Sequence, residues 1–252
     1  MIHTAVILAA GVGTRLGDEF ADRPKGFLRF GDRPIIEESI QSLARAQIRD
    51  IVIVTGHQAG KFESLEGDDG VSLHTTHNPR YAESGSMYSL YCARHLLDGA
   101  FLLLESDLIY EPRALTELLE HPADDAILLS GPTGAGDEVW VSTQDDNLVG
   151  MSKDADSLGG EQEIAGELVG ISKISSPLFQ IMLRIAERAF TSSLRYDYET
   201  DCLVAAAAER KIACPLVPDL AWSEIDDPEH LRRARDAVYP EIQRRANVAG
   251  EK

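Results

Sequence analysis

The first 130 or so residues alternate short apolar runs with segments of helical periodicity, and that alternation leaves few folds open. Thr4–Leu8, Ile51–Val54, Phe101–Leu104 and Ala126–Leu129 read as buried strands, with helices at Ile35–Ala46, Ser86–Leu97 and Glu111–Glu120 between them. Such a succession predicts an α/β fold with a mixed, mostly parallel sheet covered on both faces. Ligands of these sheets sit beyond the carboxyl ends of strands, which directs attention to the loops after Leu8 and Leu104. From Gly131 onward, shorter runs at Val139–Thr143, Leu148–Met151 and Leu168–Ile174 are separated by Gly and Asp turns. They predict a small antiparallel excursion forming one side of a cleft. Pro177 suits the first turn of a helix to about Ala189, Glu199–Glu209 reads as another, and Pro228 opens a terminal helix through Ala237. No internal repeat or low-complexity linker divides the 252 residues, so one domain is expected, with halves of about 1–130 and 131–240.

Charge narrows the ligands. With 24 Lys plus Arg against 42 acidic residues, the net charge is −18. No basic run exceeds the pairs Arg232-Arg233 and Arg244-Arg245, so nucleic acid is not an expected partner. A phosphate ligand has to be met by a few placed cations. The three cysteines, Cys92, Cys202 and Cys214, lack CxxC spacing and sit in apolar contexts, as buried thiols of a reducing compartment do. The N-terminus lacks a basic leader, and Ala5–Ala10 is far shorter than the roughly 18 residues of a membrane span. A cytoplasmic protein without a membrane partner is expected.

Those cations are found in one place. Leu8-Ala9-Ala10-Gly11-Val12-Gly13-Thr14-Arg15-Leu16-Gly17 follows the first strand, and Pro24-Lys25 comes shortly after. Glycines at 11 and 13 let successive amides point at phosphate oxygens, and Arg15 and Lys25 supply positive charge. The loop is not a P-loop, because Gly17 is followed by Asp18-Glu19 rather than Lys-Ser or Lys-Thr. Glycines at 11, 13 and 17 also miss the GxGxxG dinucleotide fingerprint by one residue, which sets a Rossmann dehydrogenase behind a triphosphate site.

These residues resemble the signature of nucleoside-triphosphate transferases with the sugar-nucleotidyltransferase fold. The resemblance implies a nucleotide-binding first half and an acceptor-binding second half. It implies that Leu8, Ala9, Ala10, Gly11, Gly13 and Thr14 hold the nucleotide, while Arg15 and Lys25 act as catalytic cations on the α- and leaving phosphates. Asp107 ends the Glu105-Ser106-Asp107 segment, and Asp226 lies in the late acidic turn Trp222-Ser-Glu-Ile-Asp226-Asp-Pro. Hard oxygen donors on two such turns suit Mg²⁺, although either Asp226 or Asp227 could instead cap the helix opened by Pro228. By resemblance Asp107 and Asp226 are the metal ligands and Asp227 the cap. None of the seven histidines has zinc-ligand spacing.

The stretch Asn78 to Tyr91 resembles the branch of this family that uses CTP on small phosphorylated or phosphonate alcohols and amines. There the corresponding loop covers the nucleotide, implying contacts from Ser86 and Tyr88, although Ser86 also reads as a helix N-cap. Lys153, rather than Lys173, matches the lysine that grips the acceptor phosphate. A quaternary ammonium acceptor favours an aromatic cage, with Trp140, Tyr196, Tyr198 and Trp222 as candidates. A primary amine favours Glu138, Glu199 and Asp201 beside them. The run Tyr198-Glu-Thr-Asp201 leans toward the phosphonate enzymes, giving an expected acceptor site of Lys153, Glu138, Trp140, Tyr198 and Glu199.

The expected activity is therefore Mg²⁺-dependent transfer of CMP from CTP to a small phosphonate or phosphomonoester, with no general base and no enzyme nucleophile. Phosphocholine is the second acceptor class. A sugar-1-phosphate nucleotidyltransferase using UTP, GTP or dTTP shares the first loop, and a noncatalytic nucleotide-binding regulator is the rival outside catalysis. A homodimer is compatible with each reading.

Overall fold

A computed structural model describes residues 2–17, 23–67, 70–158 and 163–250. Its first half contains β1 (Thr4–Ala9), α1 (Ile35–Arg45), β2 (Asp50–Thr55), α2 (Ala59–Glu63), β3 (Ser72–His77) and α3 (Ser86–Cys92), then β4 (Phe101–Glu105), β5 (Leu108–Tyr110), α4 (Arg113–Glu120) and β6 (Ala126–Ser130). The remainder comprises β7 (Trp140–Gln144), β8 (Asn147–Ser152), β9 (Glu163–Ile174), α5 (Ser176–Ala189), α6 (Val204–Ala207), β10 (Leu216–Val217), β11 (Trp222–Glu224), α7 (Pro228–Arg233) and α8 (Tyr239–Gly250).

The main sheet runs β10-β6-β9-β4-β1-β2-β3, and the pairings among β1, β2, β3 and β4 are parallel. β9 enters antiparallel between β4 and β6 and extends beyond them to pair with β7, which carries β8. The result is an α/β fold with a mixed, mostly parallel sheet and the antiparallel excursion at β7 to β9. A second, two-stranded sheet joins β5 to β11.

Strand alternation explains why both faces are covered. Ile7, Ile51, Ile53, Leu102 and Leu104 face α1, which buries Ile35, Ile36, Ile40 and Leu43 along one stripe. Their neighbours Val6, Leu8, Val52, Val54 and Leu103 face Met87 and Leu90 of α3 and Leu178, Phe179 and Met182 of α5.

Several elements differ from expectation, among them the predicted helix Glu199–Glu209, which is a π turn over Tyr198–Leu203 followed by the four-residue α6. β3 has no sequence-visible period, because as an edge strand of mostly polar Ser-Leu-His-Thr-Thr-His it buries neither face. The helix from Ser86 ends at Cys92 and gives way to a 3₁₀ turn at Arg94–Leu96. The terminal helix does not stop at Ala237: a wide π turn over Ala234–Val238 leads into α8, which carries Pro240 in its first turn. Proline there lacks the N–H that a continuous helix needs, and the widened turn accommodates it. None of the described helices is long and apolar enough to cross a membrane.

Candidate active site

The carboxyl end of β1 lies between the ends of its two parallel neighbours. Leu8 pairs with Glu105 of β4, and Ala9 pairs with Thr55 of β2. Beyond it the chain turns through Gly11-Val12-Gly13 into a 3₁₀ turn at Thr14–Leu16. Gly13 is left-handed at φ 70°, a conformation a side chain rarely adopts, and a Cβ there would lie 3.4 Å from Cγ of Lys25. The stem of Lys25 thus runs along the loop. A second 3₁₀ turn, Lys25–Phe27, packs on Ser106 and points Lys25 at the segment after β4. Leu8, Ala9, Gly11, Gly13, Arg15, Lys25, Glu105 and Asp107 line one cavity of about 260 Å³.

The small sheet brings the late acidic turn to this cavity. In the β5–β11 ladder Leu108 faces Glu224, and the pairing continues outward as the Ile225 amide donates to the Asp107 carbonyl at 3.1 Å. Asp107, Glu224 and Asp226 therefore converge, offering one oxygen each within 4.8 Å of one another. Three hard carboxylate donors fit a divalent cation. Glu224 escaped the sequence reading, which weighed Asp226 only against its neighbour Asp227. The available signal was spacing: residues two apart in extended chain project to the same side. Asp227 has a different task. It caps α7, its Oδ1 accepting from the amides of Glu229 and His230 at 2.8 and 2.9 Å.

Lys25 Nζ donates to Asp107 Oδ2 at 2.8 Å and to Asp226 Oδ1, while Arg15 reaches the other Asp226 oxygen at 2.9 Å. Burial pulls the Lys25 ammonium down, but Asp107 and Asp226 outweigh it, and its pKa ends above the ordinary lysine value. For Asp226, burial pushes up, yet Lys25, Arg15 and Lys153 hold the carboxyl below the usual aspartate range. Around these pairs lies uncompensated acid. Burial, then Glu199, Asp107 and Glu224, lift Glu105 well above the normal range. Glu224 is raised by burial and by Asp107, Asp226 and Glu199, with Lys25 offsetting only part. Glu199 is raised chiefly by burial, against the Tyr198 hydroxyl, which donates to its Oε1 at 2.8 Å, and against Lys153.

On the acceptor side, Lys153 follows β8 and is exposed, close enough to act on Glu199 and Asp226. Trp140 begins β7 opposite Ser152 and Glu167, and Glu138 accepts from the Gly136 amide at 3.1 Å. Tyr198 departs from its expected part: it is fully buried, so it presents no face to a ligand and acts through Glu199. Trp222 is also buried, with its indole N–H on Ser130 Oγ at 2.8 Å. Lys173 is remote, because it pairs with Leu102 at the start of β4 and donates to the His121 carbonyl.

Ser86 does not cap α3. The cap is Gly85, where a Cβ would meet the Tyr196 carbonyl at 2.5 Å. Instead, residues 194–197 satisfy the first turn from outside: Leu194 O accepts from Gly85, Tyr196 O from Met87, and Asp197 Oδ1 from the Ser86 amide and hydroxyl. The Ser86 hydroxyl in turn accepts from the Tyr198 amide, so it positions the segment carrying Glu199. Tyr88 packs against Tyr91 and Phe190, with ring centroids 6.1 and 5.2 Å away.

The glycine-rich turn, two cations and three convergent carboxylates thus gather at the carboxyl ends of the parallel strands. A family model for the MobA-like NTP transferase domain matches residues 5–173, and the chain belongs to that family. Among curated relatives it is 30% identical over 239 residues to the CMP-5'-(3-aminopropyl)phosphonate synthase of Streptomyces rubellomurinus, covering 91% of this chain and 38% of that one. It is 29% identical over 192 residues to the 2-aminoethylphosphonate cytidylyltransferase of Lancefieldella rimae, covering 74% and 72%. The chain spans between 38% and 51% of the length of the first curated relatives it matches. The inositol-1-phosphate CTP transferase of T. maritima shares the fold at a TM-score of 0.80 and 20% identity, over 96% of this chain and 95% of that one. The CTP:phosphocholine cytidylyltransferase of Streptococcus pneumoniae does so at 0.70 and 21%, over 93% and 99%.

Proposed function

We propose that the chain transfers CMP from CTP to a small phosphonate bearing a primary amine, such as 2-aminoethylphosphonate, and releases pyrophosphate. The observation that carries the nucleotidyl transfer is the seating of Lys25 and Arg15 between the loop after β1 and the Asp107, Glu224 and Asp226 carboxylates. Amides of the Gly11–Thr14 turn bind phosphate oxygens, while Arg15 and Lys25 offset charge that builds on the α-phosphate and on departing pyrophosphate. Asp107, Glu224 and Asp226 would hold Mg²⁺, which when bound neutralises phosphate charge that the acidic protein otherwise repels.

A phosphonate oxygen attacks the α-phosphorus as the bond to pyrophosphate breaks. The acceptor is already an anionic nucleophile near neutral pH, so no side chain needs to remove a proton. The protein contributes positioning and electrostatics.

The amine is favoured by the acid left over. Glu105 and Glu199 lie beside the reaction site, and Glu199 has only partial relief from Lys153. An ammonium on the acceptor would supply the counter-charge that favours their ionised form, and Lys153 is the cation we assign to the phosphonate end. A quaternary ammonium cage is weakened because two of its four aromatic candidates, Tyr198 and Trp222, are buried. The relatives named for aminoalkyl phosphonates support the same acceptor class.

The test is a pyrophosphate-release screen of CTP, UTP, GTP and dTTP against 2-aminoethylphosphonate, 3-aminopropylphosphonate, phosphocholine and sugar 1-phosphates. Turnover is expected with CTP and the aminoalkyl phosphonates. CTP performing no better than UTP with every acceptor overturns the nucleotide assignment, and preference for phosphocholine overturns the amine. No pyrophosphate from any pair would support a noncatalytic regulator.

A further inference from the structure

Asp107 and Asp226 already share a cation, and it belongs to the protein. Lys25 Nζ bonds Asp107 Oδ2 at 2.8 Å and Asp226 Oδ1, and Arg15 occupies Asp226 Oδ2 at 2.9 Å. These are two of the three carboxylates whose oxygens converge within 4.8 Å, and Glu224 completes the group. We infer that Lys25 is a built-in occupant of the divalent-cation position: its ammonium must leave Asp107 and Asp226 before a metal is held there, so that metal is taken up with the nucleotide rather than ahead of it.

The physical reason is exclusion. An ammonium and a divalent ion require the same two carboxylate oxygens, and a double charge a few ångströms from a single like charge is strongly repelled in a partly buried site. Lys25 needs somewhere else to put its charge, and the fold provides one place nearby. Its stem lies along the phosphate-binding turn, with Cγ 3.4 Å from where a Cβ of residue 13 would stand. Rotation of the terminal methylenes carries Nζ from the carboxylates toward phosphate oxygens while the Lys25–Phe27 turn stays packed on Ser106. Among the described residues, the acidic partners of the ammonium are Asp107 and Asp226. Free metal therefore binds only weakly, displacing Lys25 from Asp107 and Asp226 at high concentration, until the triphosphate offers Lys25 a new anion.

This inference rests on the reading of Asp107, Glu224 and Asp226 as metal ligands, but it does not depend on the base or the acceptor. The probe is Mn²⁺ alone, followed by electron paramagnetic resonance in the absence of nucleotide. Lys25→Met keeps the length and removes the charge, and it should bind Mn²⁺ at least about tenfold more tightly than the natural protein, because the carboxylates lose their internal partner. Lys25→Arg keeps the charge and should match the natural protein. Equal or weaker Mn²⁺ binding by a folded Lys25→Met overturns the inference.

Should Lys25→Met fail to fold, the natural protein decides. Trace acetylation of Lys25, read by mass spectrometry, should rise severalfold when saturating Mn²⁺ is added without nucleotide. Unchanged or reduced labelling overturns the inference. Neither readout involves turnover, so a chain that transfers CMP without this competition, or shows the competition with another substrate pair, separates the two conclusions.

Discussion

Lys25 Nζ stands 2.8 Å from Asp107 Oδ2 across 82 positions of sequence, and the same ammonium joins Asp226 from a further 119 residues along. Three segments that share no local pattern are thereby closed around one charge. The contact is built by backbone: the turn at Lys25–Phe27 packs on Ser106, and the β5–β11 ladder delivers Asp226 opposite it.

Asp107→Asn removes both a partner of Lys25 and a donor of the acidic trio. Turnover is expected to fall by roughly 100- to 1000-fold, the range seen when one placed electrostatic group is lost. Steady-state pyrophosphate release, with circular dichroism as the check on fold, measures it; near-normal turnover would remove Asp107 from the reaction.

Asp226 and Asp227 are adjacent, yet their substitutions should separate. Asp227→Ala loses a cap worth about 1 kcal/mol and lowers the melting temperature by about 2–4 °C. Its turnover should stay within a few-fold of the natural protein, whereas Asp226→Asn should lose turnover with a smaller effect on the cap. A thermal melt and a rate measured on each variant decide, and equal loss of turnover by both would contradict the division of labour.

Glu199→Gln should raise KM for 2-aminoethylphosphonate by about tenfold, the order expected for losing one charge-assisted hydrogen bond. Ethylphosphonate, which lacks the amine, should be used as well as before or better. Parallel changes for both acceptors would show that Glu199 does not meet the ammonium.

Chelation by EDTA should weaken CTP binding at least about tenfold, because an acidic site repels a triphosphate that arrives without its counter-charge. Calorimetric titration with CTP in EDTA and in Mg²⁺ compares the two, and equal affinity would contradict it.

Glu167 provides a pH dependence away from the reacting groups. Burial pushes its carboxyl to about 6, against the Thr133 amide and hydroxyl, which donate to it at 2.7 and 2.9 Å. The folded protein therefore binds this proton more tightly than the unfolded chain, whose glutamate titrates near 4.5. The associated stability is fully present below about 4.5 and is lost as pH rises through about 6. Chemical denaturation between pH 4 and 7 should show Glu167→Gln lacking that component, and an identical profile for both proteins would refute it.

Much of the site was legible because its parts carry local signals. Gly11-Val12-Gly13 with Arg15 follows a recognisable buried strand, Asp107 follows another, and Asp227 stands in the capping position before Pro228. Glu224 carried only its two-residue spacing from Asp226, since its meeting with Asp107 depends on a three-residue strand whose partner lies more than a hundred residues earlier. Ser86 carried a misleading mark: a serine before a helical run is a good cap in isolation, but residues 194–197 supply the acceptors and take the serine for themselves. Tyr198 read as an accessible aromatic because nothing local shows that Glu199 and the core enclose it.

By itself the sequence determined the alternation of strands and helices, the two covered faces of a mostly parallel sheet and the glycine-rich turn after its first strand, because hydrophobic period and glycine placement are local properties of the chain. Tertiary structure alone decided which acids share a cation, which aromatics remain accessible and where Lys25 rests. Charges interact through space at distances of a few ångströms, and only the folded backbone sets those distances.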